Sequence, residues 1–491
     1  MSYMVWVGKE SSSGFVSTMG ILAGDSGSPG FWNFFSSDLR FSPHPEDMMI
    51  NGHAVMNIEH TDDGAIFSGQ NGLQAHLNTF VRWTARKGLM VNISKTKVMA
   101  FGKISDPLPT FTLHGHTLEW THQHKYLGVH VTSCRADIFS DHFDCKAKVA
   151  LKITNVTFTL GNYLGDLPPR EGLILYNSRV DPHLTHGAEV ALGISPTSIG
   201  LLADVQIKFL CRLLRVQKRS MRAPLFTETG TLPLPFRRAS FALKFLLRLV
   251  TMEGHQFSHW CLQENVDLWI QGHACWLGDL ATVLRSIGFP ATDTGLDVLT
   301  SSEEIQCLLH CLQPLANNSI MNEVTASGCL DLVRGRVERT MSGRVTSDCL
   351  VFRSYLLLCI PAHHIALTRL LTSNHTLAVE RGRWLRVDGT SETIPRALRI
   401  CCCCHDDVED ELHVLFICSD SILCGIRAEF LGDIWRAYPA LRHRSVSPKE
   451  LLHSLLTYSD LLPRLGRYVY KMLDKVAQKP MYIPTGARPQ L

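Results

Sequence analysis

The chain has 491 residues, too many for one ordinary core, so about two to four domains are expected. Apolar residues at 45% and charged residues at 19% describe a folded chain and exclude a disordered one. A net charge of +3 is only mildly basic, so a nucleic-acid partner has to be read from local clusters of Lys and Arg.

The N-terminal residues MSYMVWVGKESSSG carry no charged region followed by a long apolar run, so no signal peptide is expected. No stretch of about 18 apolar residues occurs, which argues against a membrane span. Sixteen cysteines in such a chain point to reduced thiols and a metal site rather than a disulfide framework, and to a nuclear or cytoplasmic home.

Residues 1–133 have a mixed α/β texture. A glycine-rich loop from Gly20 to Pro29 runs into Phe31–Leu39, with aromatic residues at helical spacing. Residues 58–68 read IEHTDDGAIFS, in which Asp63-Gly64 between two apolar segments predicts a β-hairpin with two adjacent carboxylates, Asp62 and Asp63, at its tip. Such a pair is either a solvated turn or a platform for Mg²⁺, which prefers hard oxygen ligands. An amphipathic helix follows over Leu73–Arg86, with Leu73, Leu77, Phe80, Val81 and Trp83 near one face. Leu89–Ile93 reads as a strand, followed by Ser94-Lys95-Thr96-Lys97 and the apolar run Val98–Phe101. A further short strand is expected over Tyr126–Val131.

From about residue 140 the pattern turns helical. Lys208, Arg212, Arg215, Arg219 and Arg222 step by four, three, four and three, which places five cations on one face of a predicted helix. That face is either simply solvated or tracks phosphates, which Lys and Arg contact most often. Residues 261–400 read as helical, with Cys307 and Cys311 taken as buried thiols. Residues 401–418 read CCCCHDDVEDELHVLFIC: Cys401 and Cys404 form a C-x2-C pair, and His413 and Cys418 complete a tetrahedral set for structural Zn²⁺. Cys402, Cys403 or His405 could substitute for one of these ligands. The acids Asp406, Asp407, Glu409, Asp410 and Glu411 read as a solvated face.

Taken in order, these pieces resemble the C-terminal part of a reverse transcriptase of a non-LTR (LINE-type) retrotransposon. GILAGDSGSPGFWNFFSSDL at 20–39 is similar to motif B and IEHTDDGAIFS to the catalytic hairpin, motif C. GLQAHLNTFVRW and GLMVNISKTKVMAFG at 72–102 are similar to motif D, and HKYLGVHV at 124–131 to the primer-grip motif E. VDPHLTHGAEV at 180–190 resembles the thumb, and HTLAVERGRW at 375–384 with the cysteine cluster resembles the region ending in a CCHC knuckle.

The resemblance implies an α+β protein. It comprises a partial polymerase palm (1–133), a helical thumb-like region (134–260), a helical connecting region (261–400), a zinc knuckle (401–424) and a helical tail (425–491). It implies catalytic Mg²⁺ ligands at Asp62 and Asp63, and Lys95 or Lys97 beside the leaving group. Nucleotide and template contacts fall at Gly24, Asp25 and Ser28, a primer grip at Tyr126, Leu127 and Gly128, and a duplex backbone track along Lys208–Arg222. Template–primer RNA and DNA would be the partners, with no membrane involved and no oligomeric state set. The family also carries a motif-A aspartate well before motif B. The nineteen residues ahead of Gly20 contain no aspartate and one glutamate, Glu10, so a truncated polymerase is expected, inactive alone but still binding nucleic acid. The alternative is a non-catalytic nucleic-acid-binding or helical scaffold protein with structural zinc.

Overall fold

The computed structural model describes the chain except residues 1, 5, 17–25, 62, 103–106, 340–342, 386–392, 443–446 and 484–491. Gly24, Asp25 and Asp62, expected as nucleotide, template and Mg²⁺ contacts, therefore lie outside the described residues. The fold is α+β and divides into two compact units, 1–141 with 253–267 and 142–252 with 268–491.

The first unit is a set of short two-stranded ladders around the helix Gln70–Lys87. The expected apolar face is the one buried: Leu77 packs with Val98, Phe111, Leu113 and Leu118, and Trp83 packs with Leu39 and Phe41. Each such side chain contributes about 1.5–3 kcal/mol when fully buried. Gly69 at the N-terminal end offers no side-chain cap, and Glu46 takes that part by accepting the backbone N–H of Asn71 at 2.8 Å. Gly88, at φ +68°, closes the other end in the left-handed conformation that glycine adopts without strain. Beneath the helix, buried Asp47 accepts from Ser68 and pairs with His76, both at 2.7 Å. Burial works against its charge, but these two partners hold the Asp47 carboxyl below its ordinary value. This clamp ties the exit of the hairpin Asn57–Ile66 to the helix. The strand expected at Leu89–Ile93 does not form; its backbone runs into a turn whose N–H groups at Lys95 and Thr96 donate to Asn92 O.

The second unit is mainly helical, as expected for 140–260. Between 261 and 400 the all-helix expectation is corrected by a small antiparallel pair, Glu338–Arg339 with Val345–Thr346. Cys307 and Cys311 are exposed, not buried, because the helix Ser302–Ala326 turns Ile305, Leu308 and Leu312 inward instead. Two ionic clamps hold the helices together. Arg237 grips buried Asp181 through three hydrogen bonds of 2.6–3.0 Å, joining the helix Leu234–Val250 to Asp181–Thr185. Glu228 is fully buried between Arg336 and Tyr355, and beside it Arg353 donates to Thr227 O at 2.8 Å. Among the described residues, no helix is long and apolar enough to cross a membrane.

Candidate nucleic-acid site and metal centre

The hairpin carrying the acidic pair forms, but its turn is not the expected Asp-Gly. His60 pairs with Asp63 and Glu59 with Gly64, so Asp63 and Gly64 both lie within the second strand and the chain turns ahead of them. The register is set at the base, where Phe67 N donates to Met56 O and Ile66 packs on the core. Counting from that base to the tip leaves Thr61 to supply the positive φ, at 55°, with its hydroxyl donating to His60 O at 2.6 Å. Asp63 and Glu59 are both exposed.

The motif at 124–131 is likewise a hairpin and not one strand. Gln123–Tyr126 pairs with Val129–Thr132, and Leu127 (φ 47°) with Gly128 (φ 81°) makes the two-residue turn. Tyr126, the last residue before that turn, has its hydroxyl buried with no hydrogen-bond partner among the described residues. Burial pushes its phenol above the ordinary value, and the nearby charges of Asp63 and then Glu59 push it further. Asp63 and Glu59 thus lie close enough to Tyr126 for their charges to act on its phenol. Glu59 is the member that sequence reading missed; its pairing opposite Gly64 becomes visible only once the register is known.

The remaining expected residues are scattered. Ser28 opens the helix Ser28–Ser36, with Pro29 in its first turn as the Ser-Pro pattern implied. Lys95 is exposed in the turn capped by Asn92, while Lys97 forms an ion pair with Glu119. The cationic row is corrected: the helix Pro196–Leu213 carries only Lys208 and Arg212. Arg215 N donates to Arg212 O and Val216 N to Cys211 O, a Schellman closure with Arg215 itself left-handed at φ 55°. Arg219 and Arg222 therefore fall in the turn beyond, where Arg222 faces Asp204 at 3.7 Å and Arg215 is paired with Asp166.

The four cysteine-cluster residues do meet. Ligand atoms of Cys401, Cys404, His413 and Cys418 all lie within 4.8 Å of one another. The cluster is built by a short ladder in which Cys401 N donates to Asp407 O and Glu409 N to Arg399 O, turning Cys401–Cys404 over a tight knuckle. His413 starts a single wide helical turn that ends at Cys418. Two sulfurs about 2.3 Å from one tetrahedral ion stand about 3.8 Å apart, and a sulfur and an imidazole nitrogen about 3.6 Å. Here Cys401 Sγ and Cys418 Sγ are 3.8 Å apart, and Cys404 Sγ and His413 Nε2 are 3.3 Å apart. The donor set thus fits Zn²⁺. Burial pushes the Cys418 thiol up to about 11 and raises Cys401 too, so a cation is what would hold them as thiolates. Burial also opposes ionisation of Cys404, yet the backbone N–H groups of Asp406 and Asp407 bring its thiol below the ordinary value. The other thiols and His405 face elsewhere: Cys402 Sγ toward Val476 O, and the His405 ring onto Tyr482 at 4.2 Å. The acidic run is not a solvated face throughout. Buried Glu409 accepts from the N–H groups of Ala378 and Cys402, both at 2.7 Å, and Glu411 pairs with buried His375 at 2.8 Å.

A sequence relationship supports a reverse-transcriptase-like relationship for part of this chain. Over 120 residues the chain is 26% identical to the RNA-directed DNA polymerase from mobile element jockey of Drosophila funebris. The likeness covers 22% of this chain and 13% of that protein, so only a small part of the relative is represented. No family profile and no solved structure matches the chain.

Proposed function

We propose that this protein derives from the reverse transcriptase of a non-LTR retrotransposon, binds template–primer RNA and DNA, and does not extend a primer by itself. The observation that supports the reading is the pair of hairpins at the positions the family resemblance assigns to catalytic hairpin and primer grip, strands Asn57–His60 with Asp63–Ile66 and Gln123–Tyr126 with Val129–Thr132, with the Asp63 charge felt at Tyr126. The similarity to the jockey polymerase supports the ancestry.

On this reading residues 1–133 are palm-like, 134–260 thumb-like and 261–400 connecting, and Cys401, Cys404, His413 and Cys418 bind a structural Zn²⁺. Asp62 and Asp63 offer oxygen ligands to Mg²⁺, which would neutralise phosphate charge at a primer end. Gly24, Asp25 and Ser28 remain proposed template contacts, and Lys95 a proposed phosphate contact.

The test is primer extension beside a binding assay on the same recessed RNA–DNA hybrid with Mg²⁺. Binding without extension is expected. Extension that disappears in Asp63→Asn would overturn the inactivity, and absence of binding at low salt would overturn the reading as a whole.

A further inference from the structure

Within the second unit lies an open cavity of about 570 Å³, in the size range of small-ligand sites. Its walls include Phe158 from the helix Ser140–Thr159, then Asp166, then Arg212 and Arg215 from the end of the helix Pro196–Leu213. Arg369, in the last turn of the helix Pro361–Leu371, supplies a third guanidinium from far along the chain.

The three cations are held by the fold and are not free tethers. Arg212 lies over the Phe158 ring at 4.2 Å and donates to Asn155 Oδ1 at 2.8 Å. Arg215 is fixed by its left-handed backbone and by Asp166. Arg369 Nε donates to Arg215 O at 3.4 Å, so the third arginine is tied to the turn that carries the second. Burial and then the charge of Arg215 draw Arg212 below its ordinary value, the sign of cations gathered at a cost.

A bland explanation is available for part of this charge. Two helices end beside the cavity, each C-terminus equivalent to about half a negative charge, and Asp166 adds one more. Three guanidinium groups still leave a surplus of about one positive charge. A phosphodiester carries one negative charge, and guanidinium groups recognise phosphate oxygens in paired hydrogen bonds.

We infer that Arg212, Arg215 and Arg369 form a pocket for one phosphodiester group of a bound nucleic-acid strand. The inference rests on the proposed nucleic-acid binding and adds to it a defined contact, with Arg369 as a member that no local sequence pattern marks. Lys208 and Arg219 then contribute only diffuse attraction.

The experiment titrates a short labelled single-stranded RNA against the full chain over a salt series, comparing wild type with Arg369→Gln, Arg212→Gln and, as a surface-charge control, Arg436→Gln. One lost phosphate contact should weaken binding about tenfold and make the slope of log K on log salt shallower by about 0.7. The double variant Arg212→Gln/Arg369→Gln should lose little more than either single, because both serve the same phosphate, and Arg436→Gln should match wild type. A wild-type slope in both single pocket variants overturns the pocket while leaving nucleic-acid binding intact. Should wild type bind no RNA at all, the pocket falls together with the proposed nucleic-acid binding on which it rests.

Discussion

On the proposed zinc binding, chelation should cost the second unit a large part of its stability, and Cys404→Ser isolates that effect. Cys401 and Cys418 are fully buried, so serine at either would also bury a hydroxyl and confound the result. Cys404 is half-buried, so there the lost ligand dominates. At free zinc a thousandfold above its dissociation constant, binding to the native state alone stabilises by about 4 kcal/mol. At roughly 2–4 °C per kcal/mol, the melting temperature should fall by about 10 °C on chelation. Metal analysis of purified protein should find zinc in wild type and none in Cys404→Ser, and the variant should melt where chelated wild type melts. Zinc retained by Cys404→Ser, or a wild-type melting curve indifferent to chelator, would refute the ligand assignment.

Glu228→Gln should destabilise by about 3–5 kcal/mol in denaturant unfolding, because it leaves the Arg336 guanidinium buried against a neutral partner. Gly230→Ala should cost more than about 2 kcal/mol: glycine sits at φ +67°, and a Cβ there would stand 2.7 Å from Phe352 N, with backbone that cannot yield. His142 is held at about 4, against an ordinary 6.5, by burial and by Lys146 and Arg238, although its hydrogen bond to His186 O opposes the shift. It is neutral in the fold and takes up a proton on unfolding. Its contribution is therefore complete above pH 6.5 and drains away toward pH 4, by at most about 1.4 kcal/mol per pH unit, a dependence that His142→Gln should flatten. Arg215→Gly should leave stability nearly unchanged while weakening RNA binding, since about 1 kcal/mol of relieved left-handed strain offsets an exposed ion pair worth no more than that. A loss of several kcal/mol in this variant would contradict the strain argument.

Local pattern carried the parts of the fold that depend on near neighbours. The helix Gln70–Lys87 was legible because its apolar spacing is also its burial, and the gathering of the Cys3His group because a C-x2-C knuckle holds two cysteines within one turn. The hairpin was placed correctly but its turn was not. Asp-Gly is the stronger turn signal, yet the ladder is anchored at Met56 and Phe67, and that anchor outranks turn propensity. The cationic row failed for a related reason: the helix ends at Leu213 in a Schellman closure with arginine where glycine usually stands, so no stop signal appears in the residues. Glu409 and Glu411 read as a solvated run because their partners, Ala378 N and His375, lie about thirty residues upstream. Arg369 and the Glu228–Arg336 pair were invisible for the same reason on a longer scale, since no periodicity links residues that meet only after the helices pack.

The central claim is that the acidic tip and the tyrosine hairpin act together on a primer end. Its most direct test measures the affinity for a recessed RNA–DNA hybrid with and without Mg²⁺, in wild type and in Asp63→Asn. Tighter binding with Mg²⁺ in wild type, absent from the variant, is the expected result. A hybrid affinity to which Mg²⁺ and Asp63 are both irrelevant would contradict the account.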